Sequence, residues 1–511
     1  MRRTAVTTSR GARSLSVATL LVLVAGACSG GEGAARPTTT TTPTSTTTTE
    51  PPYDPQLRDG DCAELGVADG LRCEVLVVPE DRADPTGRQV ELPVVRTAAA
   101  SQAEDAPVVV LHGGPGGGVV ESWASWTTVL DDLGHQLVLY DQRGGGRARP
   151  RLDCPEHTAA LSADLATAGA WRQEHAAVAE ALGDCHDRLT ASGVDLDDYD
   201  TPSSTRDLED LRRALGVEQL TLVGSSYGTR LALDYLRTHP ERVAALVLDG
   251  ADPPDALGVA TSTRAEDAVD RVLRACEQDV DCAQRYPDLR AAFERATASF
   301  DAAPREVAVF GPDGAPSTMA VTGDDLFAGL YVAAYDSDVI PLLPSLISAI
   351  EGDGGTILDT FASRVVPALS ATAAGAFLSI DCADAGGSNV PEAPDGAADP
   401  GRASTLALAG SLPYCDRWPV EPVDEGFREA LQLDDPPPVL VVSGELDPIT
   451  PAEVGERVAE ELDGHHVEVP RGGHAAMLAA PCAQQVLRSF LVEPESPDLD
   501  CVEEMRPDPF A

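Results

Sequence analysis

No lysine occurs in the 511 residues, so every one of the 37 basic side chains is an arginine. That absence excludes Schiff-base chemistry, a lysine general base and the lysine-dependent phosphate loop. Positive charge is scarce altogether: 37 Arg against 83 Asp and Glu leave a formal charge of −46. A chain so acidic repels polyphosphate and anionic head groups, which excludes nucleic acid as a partner and adsorption to a membrane through a basic patch. The apolar run Leu15–Ala27 is too short for a membrane span, which takes about 20 residues. What the chain does have is 43% hydrophobic residues. That is enough for a large core, in one long α/β unit or in two or three smaller ones.

Arg2, Arg3, Arg10 and Arg13 lead into the Leu15–Ala27 run, and Cys28 follows it. Residues 1–27 are therefore expected to be a signal peptide, cut before Cys28. Ala25-Gly26-Ala27 satisfies an A-x-A cleavage site and also resembles a bacterial lipobox, although Ala25 stands where that pattern prefers Leu. The other ten cysteines lie in close pairs, 62–73, 154–185, 276–282, 382–415 and 482–501. Proximity alone suggests these five disulfides and leaves Cys28 for a lipid. Membrane contact is then expected only through that anchor, on an exported, cell-surface protein. An unmodified, secreted terminus is the alternative. Residues 28–55, with a threonine-dense stretch from Thr38 to Thr49, have little apolar surface to bury and read as a disordered Thr/Pro-rich tether.

Beyond the tether, strand-like and helix-like stretches alternate. Glu74–Pro79 and Val90–Val95 suit edge strands. The uninterrupted runs Val108–Leu111, Leu137–Tyr140, Leu220–Val223, Ala245–Leu248 and Val439–Val442 are of the kind buried on both faces. Leu208, Leu211 and Leu215 recur at helical spacing up to Gly216, and Leu231, Leu233 and Leu236 follow the turn at 224–228. Strands separated by helices predict an α/β fold with a doubly wound, mostly parallel sheet. The alternation breaks between residues 251 and 435, which are expected to form a helical cap over the sheet's carboxyl edge. The core then comprises residues 56–250 and 436–511.

Gly224-Ser225-Ser226-Tyr227-Gly228 follows one buried strand and opens a helix. A nucleophilic serine must project from a sharp turn, and glycines two positions to either side remove side chains that would collide with strand and helix. Ser226 is the central residue. His112-Gly113-Gly114-Pro115-Gly116-Gly117 closes another strand where an oxyanion loop belongs, and five glycines with a proline between Gly113 and Gly118 exceed what a plain turn needs. The expected oxyanion donors are the Gly114 and Tyr227 amides. Of the nine histidines, His474 lies in a loop after the strand-like His466–Val469, late in the chain as the order Ser, Asp, His requires. Asp447, in Gly444-Glu445-Leu446-Asp447-Pro448, is the expected acid. Asp249 or Asp252 would put the acid one strand after the nucleophile, a rarer arrangement.

Taken together, Gly-Ser-Ser-Tyr-Gly-Thr (224–229), His-Gly-Gly-Pro-Gly-Gly (112–117), Asp-Gln-Arg-Gly (141–144), Gly-Glu-Leu-Asp-Pro-Ile-Thr-Pro (444–451) and Gly-Gly-His (472–474) resemble the secreted tripeptidyl aminopeptidase and prolyl iminopeptidase-like serine exopeptidases of the α/β-hydrolase superfamily. The likeness runs over about residues 60–505. It implies the α/β-hydrolase fold, Ser226, Asp447 and His474 as nucleophile, acid and base, no cofactor or metal, and a peptide substrate with a free amino terminus. Relatives usually carry a Gly-x-Gly-x-Ser run where this chain has Gly144-Gly145-Gly146-Arg147-Ala148, a departure that bears on leaving-group preference. An aminopeptidase must also hold the substrate's α-ammonium with a partly desolvated carboxylate. Asp381 and Asp384 in the cap, and Glu445 beside the acid, are the candidates. The same triad also serves carboxylesterases and lipases, and a tethered peptide-binding lipoprotein on an inherited hydrolase fold is the non-catalytic alternative.

Overall fold

The apolar runs become the middle of one nine-stranded sheet. The computed structural model describes residues 53–511 apart from 69, 99–105, 131–132, 167–170, 258–260, 311–315, 353–354, 369–371 and 387–411. The expected signal peptide, Cys28 and residues 29–52 of the tether lie outside the described residues. The strands are β1 (Gln56–Asp59), β2 (Arg72–Pro79), β3 (Gln89–Arg96), β4 (Val108–Leu111), β5 (Leu137–Tyr140), β6 (Leu220–Ser225), β7 (Val243–Asp249), β10 (Val439–Gly444) and β11 (His465–Val469). A separate ribbon is made by β8 (Arg305–Phe310) and β9 (Pro316–Val321). The large sheet runs in the order β1-β2-β3-β5-β4-β6-β7-β10-β11. From β5 to β11 neighbours are parallel, and β1, β2 and β3 join as antiparallel strands.

Why the central runs carry no polar alternation is visible in their packing. Val109 and Leu111 belong to a core on one face of the sheet with Leu222, Tyr140 and Leu231, while Val108 and Val110 belong to the other with Val223, Leu139 and Phe490. Helices cover both faces, so each residue of the strand loses water. Full burial of a Val or Leu side chain contributes roughly 1.5–3 kcal/mol, and a strand covered on both sides collects this at every position.

The expected edge position of 74–79 and 90–95 is corrected by the structure. The polar strand β1 flanks β2, and β3 pairs onward with β5. Gln56-Leu57-Arg58-Asp59 is largely exposed, so its pairing rests on backbone hydrogen bonds and leaves no apolar pattern to read. The helix Thr201–Leu215 opens with Asp200 accepting the Ser203 amide at 2.6 Å and ends at Gly216 with φ 71°, as its capping residues dictate. The five disulfides join Cys62–Cys73, Cys154–Cys185, Cys276–Cys282, Cys382–Cys415 and Cys482–Cys501, the pairs that proximity suggested.

β7 pairs directly with β10, so the chain between them makes an excursion from the sheet. The excursion builds its own core around Phe293, Phe300, Leu326, Leu330, Leu343 and Ile347 from helices that include Thr261–Gln278, Leu289–Ala302, Gly323–Ala333 and Leu343–Ile350, while its helix Ala374–Asp384 packs Ala376, Leu378 and Cys382 against Leu152, Val178 and Trp418. It is not wholly helical, because the β8–β9 ribbon lies inside it. In β8, Val307 and Val309 are buried and alternate with the more exposed Glu306 and Ala308.

Asp-Gln-Arg-Gly has a structural task. Arg143 is fully buried, and its Nε and Nη2 each lie 2.7 Å from an oxygen of Asp207, fastening the loop after β5 to the Thr201–Leu215 helix. Arg82 reaches the same Asp207 and also Asp210. Removing one partner of such a buried pair costs around 3–5 kcal/mol.

Candidate active site

Ser226 stands between β6 and the helix Tyr227–Thr238 with φ 54° and ψ −123°, a region that a non-glycine residue occupies only where the surroundings impose it. Its neighbours explain the glycines. A Cβ on Gly224 would come 2.5 Å from the Gly228 carbonyl oxygen, one on Gly228 would come 2.1 Å from Leu111 O, and one on Gly113 would come 2.8 Å from Ser226 Cβ. The turn closes only without those side chains, which is the reason for the five-residue pattern. The Ser226 amide donates to Asp249 O at 2.9 Å, pinning the elbow to the end of β7.

Asp447 and His474 meet. His474 Nδ1 lies 2.8 Å from Asp447 Oδ2, so the acid holds the tautomer with the proton on Nδ1 and Nε2 turned to accept. Asp447 is fully buried, and its oxygens also accept the Ile449 and Thr450 amides at 2.8 and 2.9 Å and Thr450 Oγ1–H at 2.6 Å. Burial would raise this carboxyl. The charge and hydrogen bond of His474, with the bonds from Thr450, outweigh burial and hold it below its ordinary range. For His474, burial acts to lower the pKa, while Asp447 foremost, then Asp249 and Asp252, raise it, and the net shift is upward. Thr450 Oγ1 is also 3.1 Å from His474 Nδ1, a third member of the pair that the sequence reading missed. Its signal was local: Asp447-Pro448-Ile449-Thr450 has the spacing of a side-chain-capped turn.

Tyr335 was missed as well. Its carbonyl accepts the His474 amide at 2.9 Å, and its ring meets the imidazole edge to face at a centroid distance of 5.2 Å. Nothing in sequence joins Tyr335, inside the excursion, to a loop well over a hundred residues later. Arg271 donates to Asp447 O at 2.8 Å, so the excursion touches acid and base loops alike.

Ser226 lies at the same sheet edge. A Cβ on Gly250, the residue after Asp249, would come 2.8 Å from Thr450 Oγ1 and 3.4 Å from His474 Cε1. Among the described residues neither Ser226 Oγ nor His474 Nε2 makes a hydrogen bond, so Asp447 and His474 are joined while no bond links His474 to Ser226. Tyr227 supplies the first amide of the elbow helix, which intrahelical bonding leaves unspent. Gly114 has φ 120° and lies in the loop whose Gly113 presses on Ser226. Part of the glycine density here serves packing between loops. A Cβ on Gly118 would lie 2.7 Å from Gly146 Cα, and one on Gly145 would lie 2.8 Å from Gly116.

The three acids expected to hold an ammonium group have different fates. Asp381 and Asp384 both face Arg230, one turn beyond the nucleophile, at 2.8 and 3.0 Å, and Asp252 reaches the same guanidinium at 2.6 Å. Asp384 is wholly buried and also accepts Thr201 N–H and Oγ1–H, so its oxygens are occupied. The side chains of Asp381 and Asp252 stay 15% and 24% exposed. Glu445 points outward and accepts the Arg471 amide at 2.8 Å. It braces the base loop because the chain leaving β10 turns Leu446 and Asp447 inward and Glu445 out. Cys28 lies outside the described residues.

A family model described as alpha/beta hydrolase fold matches residues 106–328, and one described as TAP-like protein matches residues 403–503. The chain is 25% identical over 463 residues to the serine protease Hip1 of Mycobacterium tuberculosis, covering 85% of this chain and 87% of that one. It is 27% identical over 498 residues to the tripeptidyl aminopeptidase of Streptomyces lividans, covering 88% and 87%. Among solved structures, the proline iminopeptidase of Mycobacterium smegmatis aligns with a TM-score of 0.42 at 18% identity, over 82% of this chain and 98% of that chain. A serine elbow, a buried Asp–His pair at the same sheet edge and these family matches show that the chain has the α/β-hydrolase fold, with a carboxyl-terminal segment similar to TAP-like proteins.

Proposed function

We propose that the protein is an exported serine exopeptidase that releases short peptides, tripeptides among them, or single residues from free amino termini through an acyl-enzyme on Ser226. The observation that carries this reading is the 2.8 Å Asp447–His474 pair at the sheet edge that holds Ser226 in its constrained turn. His474 Nε2 takes the hydroxyl proton as Ser226 Oγ attacks the scissile carbonyl. Asp447 stabilises the imidazolium so formed, and the Gly114 and Tyr227 amides receive the oxyanion. His474 then returns the proton to the leaving amine, and water releases the acyl group by the same steps. The serine protease and aminopeptidase names of the two relatives support peptide over other acyl substrates.

The free amino terminus is the business of the Arg230 cluster. One guanidinium faces three carboxylates, which leaves surplus negative charge one turn from the nucleophile. Asp381 and Asp252, its partly exposed members, suit a substrate α-ammonium. Asp384 and Glu445 are left out of that role, the first because it is fully engaged inside the protein, the second because it faces away.

The cysteines support export. All ten beyond residue 28 are in disulfides, as befits an oxidising compartment, and Cys28 is left for a lipid. Changing Cys28 to Ser should release the protein from the membrane fraction into the medium.

A panel of fluorogenic substrates of one, two and three residues, each with a free or acetylated amino terminus, tests the activity. Asp381 and Asp252 keep Arg230 as a partner when the ammonium is lost, so the loss is that of a charge-assisted hydrogen bond, about 1.5–3 kcal/mol, and acetylation should lower kcat/KM by roughly 10–10². Equal cleavage of free and blocked peptides, or faster turnover of short acyl esters than of any peptide, would return the protein to the carboxylesterase class. Failure of a serine-reactive phosphonate to label Ser226 would leave the peptide-binding lipoprotein.

A further inference from the structure

Asp249 ends β7 beside the site, and the acyl-transfer steps above make no use of it. It is 1% exposed. Its carbonyl accepts the Ser226 amide at 2.9 Å. Its carboxyl accepts Ser225 Oγ–H at 3.4 Å and has the Met477 amide 3.3 Å from each of its two oxygens. Ser225 immediately precedes the nucleophile, and Met477 is three residues past the base. The next residue, Gly250, donates to Val442 O at 2.9 Å and faces Thr450 and His474. One two-residue segment thus touches the elbow, the base loop and the acid loop.

We propose that Asp249 is a positioning residue of the hydrolase site, its carboxyl tying Ser225 in the elbow to Met477 in the base loop and so setting how His474 approaches Ser226. The proposal rests on the serine-hydrolase reading given above. Ser226 and His474 come from separate loops with no hydrogen bond between them, so their alignment depends on what holds those loops to a common support. Misplacement by about 1 Å can cost as much as 10²-fold in rate. The charged groups facing Asp249 are His474 from the base loop and Asp447 from the acid loop. Those facing His474 are Asp447, Asp249 and, farther along the chain after β7, Asp252. Burial pushes the Asp249 carboxyl up to about 7, against the opposing pull of His474.

The test uses the full chain, the best substrate of the panel and two variants, Asp249→Asn and Ser225→Ala. Asn keeps the size and one acceptor but removes the charge. In that variant kcat should fall roughly 10-fold with KM held within about 2-fold, and the acid limb of the kcat/KM profile should move to lower pH because His474 loses a negative neighbour. Ser225→Ala removes only the elbow arm and lies at a half-exposed position. It should lower kcat about 3-fold and leave the acid limb in place. A folded Asp249→Asn protein with wild-type kcat and an unmoved limb overturns the proposal. If Asp249→Asn does not fold, wild-type kcat in Ser225→Ala overturns it. A wild-type enzyme that is neither labelled by a fluorophosphonate nor active on peptides or esters would instead bring down the hydrolase reading itself.

Discussion

Asp447 accepts four hydrogen bonds where no solvent reaches it, and His474 donates one of them. The acid is thereby fixed in position before any substrate arrives, and each donor removed should cost rate in proportion to what it holds. Ser226→Ala is expected to lose on the order of 10⁶ in kcat and Asp447→Asn roughly 10⁴, because the serine makes the bond while the acid sets a tautomer. Thr450→Val, which keeps the shape but removes the hydroxyl shared by Asp447 and His474, should lose about 10-fold, with KM nearly constant; steady-state kinetics on one peptide anilide measures all three. The pH dependence has a definite sign. His474 must be neutral to take the serine proton, and its pKa is raised above the ordinary 6.5 once Asp447, Asp249 and Asp252 have overcome burial. Activity should therefore be complete at higher pH and fall as pH drops through a value above 6.5. The residual activity of Asp447→Asn should show that limb displaced to lower pH, and a pH–rate profile of kcat/KM reads both. The side chains proposed as catalytic were legible in the sequence because each sits in a short motif whose geometry is local. Thr450, Tyr335 and the Arg230 partners were not, since their roles arise from contacts made by folding.

At the scale of elements, the elbow is a packing problem solved by omission. Gly224 and Gly228 face backbone atoms at 2.5 and 2.1 Å from where a Cβ would stand, and backbone cannot swing aside as a side-chain tip can. Replacing either by Ala should lower the melting temperature and abolish activity together. Gly183, within the helix Trp171–Ala191, supplies the contrast: a Cβ there meets nothing within 4 Å. Gly183→Ala should keep full activity and stabilise by up to about 1 kcal/mol, the helix-interior cost of glycine. Differential scanning calorimetry with a parallel activity assay separates these outcomes. Strands buried on both faces were recognised from their unbroken apolar runs. The edge assignment of β2 and β3 failed because the strand that covers β2 is polar, exposed and short, and the β8–β9 ribbon was hidden in a stretch read only for helices.

For the whole molecule, covalent and tertiary ties converge on the excursion. Cys276–Cys282 and Cys382–Cys415 lie within it. Near the end of the chain, Phe510 is buried in its core, under the Arg471 guanidinium at 4.0 Å from the ring centroid. Arg471 in turn reaches Asp279 at 2.5 Å and Asp508 O at 2.8 Å, three residues before the base. Phe510→Ala should cost around 3–5 kcal/mol of stability by urea unfolding, as loss of a buried ring does. Alkylation of the mature protein without reductant should find no free thiol. Reduction should expose ten and lower the melting temperature, each loop closure being worth on the order of 2–4 kcal/mol. An eleventh thiol, present before reduction, would be Cys28 without a lipid.

What the amino-acid sequence determined by itself is whatever a handful of consecutive residues can dictate: the capped helix Thr201–Leu215, the unbroken central strands, the glycine-framed Ser226, and the five cysteine pairs formed by near neighbours. Sterics, hydrogen bonding and short loop closure act over such distances without knowledge of the rest of the chain. What only the tertiary structure decided is the company those residues keep. Strand order puts β7 against β10 and so carries Asp249 and Gly250 to the Asp447–His474 pair. The excursion brings Tyr335 and Arg271 onto the base and acid loops. Arg230 selects Asp252, Asp381 and Asp384 from 83 acidic side chains, and Glu445 is turned away by the exit of its strand. Burial creates these relations, since a charge or a ring becomes a partner only when folding removes the water between it and a residue distant in sequence.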